Sequence, residues 1–274
     1  MRSRTRGLAG RLALPIRSWG KGFRTLIVLV VLAGAWELIS RLGLLDPFLF
    51  PPPSVVAGET LRAFIEPPRG LQESLFYHLG KSLQRALIGW VIGSVAGIAF
   101  GVTIEWSRGV AGRVGNGLLE FARPVPSILM LPVLTVFLGI TDWPRILVIA
   151  WGVFIIVAIN TMLGVRSARQ SLLPSVVRSF GGNGWMILRK AILGLAAPHI
   201  VAGMRQAVGM AVILMVATEL ILATDGIGWF IGYTRRLLSP PLMYGSVVVV
   251  GLVGLGLGAL FRLLQKRLLR EHQG

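Results

Sequence analysis

Between Ile146 and Leu163 the chain runs for 18 residues without one charged side chain, and Ala207–Leu222 carries only Glu219. About 20 apolar residues span the hydrocarbon core of a bilayer as a helix, which closes its own backbone hydrogen bonds where lipid offers none. Between these runs lies VRSARQSLLPSVVRSFGGNGWMILRKAILGLAAPHIVAGM, Val165–Met204, holding Arg166, Arg169, Arg178, Arg189 and Lys190 and no acid. Basic residues stay on the cytoplasmic side during insertion, so this segment is expected to face the cytoplasm.

The whole composition agrees with membrane residence: 54% hydrophobic residues, 14% charged, and a mean hydropathy of +0.74. Soluble domains carry about a quarter charged residues. The net charge of +17 would suit nucleic acid, but positive cytoplasmic loops account for it and no basic groove with interleaved aromatics occurs, so nucleic acid is not an expected partner. There is no Cys, which removes disulfides and thiolate chemistry, and His78, His199 and His272 lack metal-ligand spacing. No phosphate-binding GxxxxGK[ST] loop is present. Neither catalytic residues nor a metal site are expected.

In chain order, residues 1–24 hold seven Lys or Arg and no acid and precede the apolar run Thr25–Leu42, read as a retained first span rather than a cleaved leader. Glu37 and Arg41 stand i,i+4 in the favourable order and are expected to pair. Residues 43–80 contain DPFLFPPPS, whose prolines favour an extended path, with Ser54 expected to cap a short helix through Phe64. Asp46, Glu59, Glu66 and Glu73 balance its bases and point to an external location.

The second span, Leu83–Ile104, repeats Gly89, Gly93, Gly97 and Gly101 on one helical face, a ridge that lets another backbone approach. The third, Val125–Leu138, is interrupted by Pro126 and Pro132, and the fourth runs from Pro144 to Leu163, with Asn160 and Thr161 expected to bond between helices or touch solute. The fifth carries Thr218 and Glu219 before a turn-rich ATDGIGWFIGYTRR. An isolated acid at membrane depth is a functional candidate by default, and Arg235 or Arg236 is its alternative partner. The sixth, Ser246–Leu264, places Gly254 and Gly258 at packing spacing. Internal segments then hold 19 Lys and Arg against seven outside, Arg85 and Arg205 lying within spans. The expected fold is an all-α membrane protein of about six transmembrane helices. Residues 1–24 form a cytoplasmic basic segment, 25–264 one transmembrane domain and 265–274 a cytoplasmic tail, so both termini are cytoplasmic.

Within 165–204, Leu172-Leu173-Pro174 breaks one helix and Ser175 is expected to begin the next. Gly181-Gly182-Asn183-Gly184 forces a turn through residues that tolerate positive φ, and Trp185–Leu195 resumes helical spacing. Two short helices with a sharp bend form a compact knob, suited to docking or simply a folded loop.

SVVRSFGGNGWMILRKAILGLAAPHIVAGMRQAVG resembles the cytoplasmic loop of ABC importer permeases, the transmembrane subunits that work with a solute-binding protein, with Gly181 at the glycine of the EAA…G pattern. WELISRLGLLDPFLFPPPSVV, RPVPSILMLPVLTVFLGI and VATELILATDGIGWFI are similar to the nitrate/sulfonate/taurine branch. The likeness extends from Trp36 to about Phe261. It implies a type I importer permease fold whose coupling loop, Ser175, Val176, Val177, Arg178, Ser179, Phe180, Gly181, Gly182, Asn183, Gly184 and Trp185, inserts into a cytoplasmic ABC ATPase. That partner binds ATP and Mg, while this chain binds no cofactor. An external solute-binding protein delivers a small anionic solute, along a pathway for which Ser127, Met130, Asn160, Thr161, Thr218 and Glu219 are the candidates. Ser175, Val176 and Val177 stand where the family has EAA, and Gly194 where it has the proline of LP. The missing glutamate points to pairing with a paralogous permease rather than a second copy of this one. The alternative is an ion-coupled secondary transporter using Glu219.

Overall fold

In the computed structural model, which describes residues 21–107 and 109–270, every regular element is helical among those residues. The chain divides into two compact units at Gly58. In the first, α1 (Lys21–Arg41) carries the expected Glu37–Arg41 pair at 2.6 Å. Glu37 also accepts from the Ser54 amide at 3.0 Å and from its hydroxyl at 2.8 Å. Ser54 therefore does not cap α2 (Pro53–Ile65); it lies within that helix, and its hydroxyl serves Glu37 instead.

The second unit is built around α6 (Asp142–Gln170), 61% of whose most apolar stretch is buried. It packs along α3 (Leu75–Trp106), and the four glycines predicted to form a ridge are all buried at that contact. A Cβ on Gly89 would stand 2.7 Å from the Ile149 side chain, on Gly97 2.8 Å from the Phe154 carbonyl and on Gly101 2.8 Å from the Ala158 carbonyl. Such separations leave no room for any side chain, so the two backbones touch. On its other side α6 meets α9 (Leu193–Leu222), and Val148, Val153, Val157, Ala207, Ala211 and Met215 form the common core.

The third expected span is broken. α4 (Val110–Ala122) and the stretch Ser127–Leu138, a 3-10 turn followed by α5 (Met130–Leu138), meet at 86°. Pro126 begins the turn and Pro132 sits in the first turn of α5, where a missing N–H is tolerated. After α6 come α7 (Leu173–Ser179), α8 (Gly184–Met186), a π-helical stretch Ile187–Ile192 and α9, the last three forming one continuous 39-residue rod. The expected second short helix of the knob is thus the start of a long one, and only residues 171–183 leave the bundle. ATDGIGWFIGYTRR, expected as turn, contains α10 (Ile227–Arg236). α11 (Pro240–Arg270) follows, with only 11% of its apolar window buried. Its Gly254 and Gly258 meet little but Val212 and Arg262 at 3.8 Å or beyond, so the packing expected of them is not made within this chain.

Among the described residues, four helices are long and apolar enough to cross a membrane, five if the bent pair counts as one span. The first expected span falls on α1, which is not among these and carries Glu37 and Arg41 in its last turns.

Candidate functional site

At the α7 end, the chain turns because Gly181 takes φ +78°, the left-handed conformation that closes a helix. The Gly182 amide returns to the Val177 carbonyl at 2.9 Å and that of Gly181 to Arg178 at 3.0 Å. Of the GGNG run only Gly181 has positive φ; Asn183 instead caps α8, accepting from the Met186 amide at 2.9 Å. Ser175 does not start α7, which begins at Leu173 with Pro174 in its first turn. The Ser179 hydroxyl back-bonds to the Ser175 carbonyl.

A small core supports this tip. Val165, Ala168, Ile187, Ile192 and Ala196 are buried together, with Trp106 and Val177 against them. Glu105, near the end of α3, takes the Arg166 guanidinium through both carboxylate oxygens at 3.1 Å, and its carbonyl accepts from Arg169. On this footing stand apolar side chains with no cover: Phe180 is 88% exposed, Trp185 67% and Leu172 82%, beside half-exposed Val176. Ser175, Arg178 and Gly184 line an adjoining hollow of about 550 Å³. A rigid, apolar, aromatic projection with a basic flank is what a protein partner covers.

At the opposite end of α6 lies a site that the sequence pattern did not assemble. Glu219 is completely buried, and neither Arg235 nor Arg236 is its partner; Arg85 Nη1 donates to it at 2.9 Å. Every N–H of Arg85 has an acceptor: Nε bonds Asp142 at 2.8 Å, Nη1 also reaches the Asp225 carbonyl, and Nη2 engages Asp142 and the Asp225 carboxylate. Arg145 joins through Asp142 at 2.6 Å and caps the end of α9 by donating to the Leu222 carbonyl at 2.6 Å. The start of α10 completes the cluster. Its first amides donate to His78 Nδ1 (Gly226, 3.2 Å), the Ser82 hydroxyl (Ile227, 2.7 Å) and the Glu219 carboxylate (Gly228, 3.0 Å). The Glu219 charge thus faces both a guanidinium and the positive end of a helix. Gly226 is obligatory here, since its φ is +102° and a Cβ would stand 2.5 Å from the Glu219 carboxylate. α3, α6, α9 and α10 are joined by one network in which no carboxylate is left without a cation. An ion-coupled mechanism through Glu219 would need a carboxylate free to exchange its counter-ion.

The remaining pathway candidates do not meet at one place. Ser127 and Asn160 line a single cavity of about 360 Å³ with Gly152, Gln206 and Met210. The Asn160 amide donates to the Ile156 carbonyl at 2.9 Å and lies 3.5 Å from Gln206 Oε1. Met130 borders a separate apolar hollow with Trp151 and Phe154. Thr161 is fully buried against Gly101, and Thr218 bonds back to the Met215 carbonyl at 3.0 Å. Both are fully buried, and neither borders the cavity lined by Ser127 and Asn160. No group of three or more His, Cys, Asp or Glu able to hold a metal occurs among the described residues.

A bundle of long apolar helices with a polar cavity and an uncovered tip suits a subunit that works in a membrane with a partner. Residues 93–271 match the family described as binding-protein-dependent transport system inner membrane component, and the chain belongs to that family. It is 31% identical over 245 residues to the taurine transport system permease protein TauC of Escherichia coli (strain K12), covering 89% of this chain and 88% of that one. It is 28% identical over 252 residues to the putative aliphatic sulfonates transport permease protein SsuC of Bacillus subtilis (strain 168), covering 92% and 87%. The fold is similar to that of the MetNI methionine ABC transporter in its inward-facing conformations, with a TM-score of 0.57, 20% identity, and 72% of this chain and 95% of that one covered. The chain is accordingly a multi-pass inner-membrane permease subunit of an ABC importer.

Proposed function

We propose that this permease imports a small organic or inorganic anion of the sulfonate or nitrate kind, driven by a separate ABC ATPase that binds ATP and Mg. The observation that carries the coupling role is the uncovered Phe180 and Trp185 on a tip whose footing is fixed by Arg166, Arg169 and Glu105. ATP-driven closure of two ATPase subunits moves two such tips and switches access to the pathway. An external binding protein delivers the solute. In this reading both termini and α7 are cytoplasmic, in keeping with the distribution of Lys and Arg, and the Arg85 cluster lies at the outer end. The translocation domain spans 25–264. Ser175 in place of the family's glutamate removes a charged contact to the ATPase, and a second, paralogous permease retaining it would complete the pair.

The test is uptake of taurine, an alkanesulfonate and nitrate into liposomes holding this chain with the ATPase and binding protein encoded beside it. Uptake that needs both ATP and the binding protein is expected. Transport that proceeds on an ion gradient without ATP would overturn the proposal. Two copies of this chain in the purified complex, with no other permease, would refute the paralogous pairing alone.

A further inference from the structure

The cavity shared by α6, α9 and the α4–α5 linker has an unusual lining for a membrane interior. Ser127, Asn160 and Gln206 offer hydroxyl and amide groups, Arg123 is its one charged residue, and no carboxylate borders it. Arg123 also differs from Arg85, Arg145 and Arg166, each of which is bound to an acid. Among the described residues it has no carboxylate within ion-pairing distance. Asn160 lies ten residues from the end of α6, which at 1.5 Å per residue places it roughly 15 Å inward from the helix terminus. The cavity is thus an open recess in which exposed Arg123 and Gln206 stand at the rim and half-buried Ser127 and Asn160 lie further in, with Arg123 the single charge.

We propose that this recess is the cytoplasmic vestibule of the pathway and that Arg123 is a specificity-determining residue, selecting small anions electrostatically while the Ser127, Asn160 and Gln206 groups replace part of their hydration. The inference rests on the permease reading above. A single sign of charge at the mouth of a low-dielectric cleft focuses the field and enriches counter-ions, whereas one acid in the lining would cancel it. Amide and hydroxyl donors solvate a sulfonate or nitrate without trapping it, as a bidentate guanidinium deep in the cavity would. The position of Arg123 at the rim suits release rather than retention.

Because the chain has no Cys, Asn160→Cys or Gln206→Cys introduces its only thiol. In the complete complex in liposomes, the labelling rates of that thiol are compared for two methanethiosulfonate reagents, one ending in a sulfonate and one in a trimethylammonium, each divided by its rate with a free thiol. The sulfonate reagent is expected to be favoured on the order of tenfold. Arg123→Gln should abolish the preference, Arg123→Lys should keep most of it, and Arg178→Gln at the tip should leave it unchanged. A ratio insensitive to Arg123→Gln, or no labelling at either position by either reagent, overturns the proposal. Labelling of the Asn160→Cys or Gln206→Cys complex as expected, with no ATP-dependent uptake by the wild-type complex, would count against the importer reading and leave the vestibule standing.

Discussion

At the Arg85 end, three carboxylates and two guanidinium groups close on one another within the chain; at the α7 end, Phe180, Trp185 and Leu172 stand bare on a small, well-anchored core. Both ends gather residues distant in sequence. They differ in where their unmet interactions go. The first is complete without a partner, so changing it damages the subunit; the second is incomplete by construction, so changing it damages the assembly. Buried ions belong where the helices must keep one arrangement, because half of such a network is worse than none. Bare apolar groups belong where something else docks.

The sharpest way to break this contrast is Arg85→Met, which leaves Asp142, Glu219 and Asp225 without their shared cation. A loss on the order of 4 kcal/mol is expected, read as a collapse of the thermal unfolding transition of the purified subunit in detergent. Gly226→Ala comes next, at about 3 kcal/mol, since an alanine must both adopt φ near +102° and displace the Glu219 carboxylate. Along the α3–α6 contact, Gly97→Val should cost about 1 to 3 kcal/mol by overpacking, whereas Gly254→Val on the bare face of α11 should leave the unfolding midpoint of the subunit unchanged. Asn183→Ala removes the cap of α8 and should cost about 1 kcal/mol. Small as well in the subunit is the paired change Phe180→Ala and Trp185→Ala, expected within about 0.5 kcal/mol of wild type. The same pair should weaken ATPase association by about 2 kcal/mol or more, measured by retention of the ATPase on the tagged permease. If the tip variant unfolds the subunit, or Arg85→Met spares it, the two ends are not what their contacts suggest.

Local spacing made some of this readable in advance. The glycine ridge follows from residues four apart on a helix, and the Glu37–Arg41 pair from the same geometry; both are present. Gly181 marked the turn because only a left-handed residue closes α7 there. The Arg85–Glu219 bond was not legible, since its partners are 134 residues apart and no local rule links them. The signal available was weaker: one isolated base and one isolated acid, each in an otherwise apolar helix, which lipid strongly favours pairing. α10 was read as turn because Gly226, Gly228 and Gly232 lower helix propensity, and tertiary anchoring of its first amides overrode that preference. The second short helix expected over Trp185–Leu195 is instead the beginning of a long one, because the chain continues helical through Gly194 and Pro198, with Ile187–Ile192 taking the wider π spacing.

One helix touches both ends. α6 begins at Asp142, inside the ionic cluster, and ends at Gln170, beside the tip, a rod roughly 44 Å long at 1.5 Å per residue. Its flank against α3 is backbone on backbone, so there is little soft material in which a push could be absorbed. Pinned at one extremity and loaded at the other, such a rod behaves as a lever with its fulcrum at Asp142. Tilting it by about 10° carries the loaded end about 8 Å, on the same rise per residue. A modest rotation at the fulcrum thus corresponds to a large stroke at the tip, the end proposed to meet the ATPase.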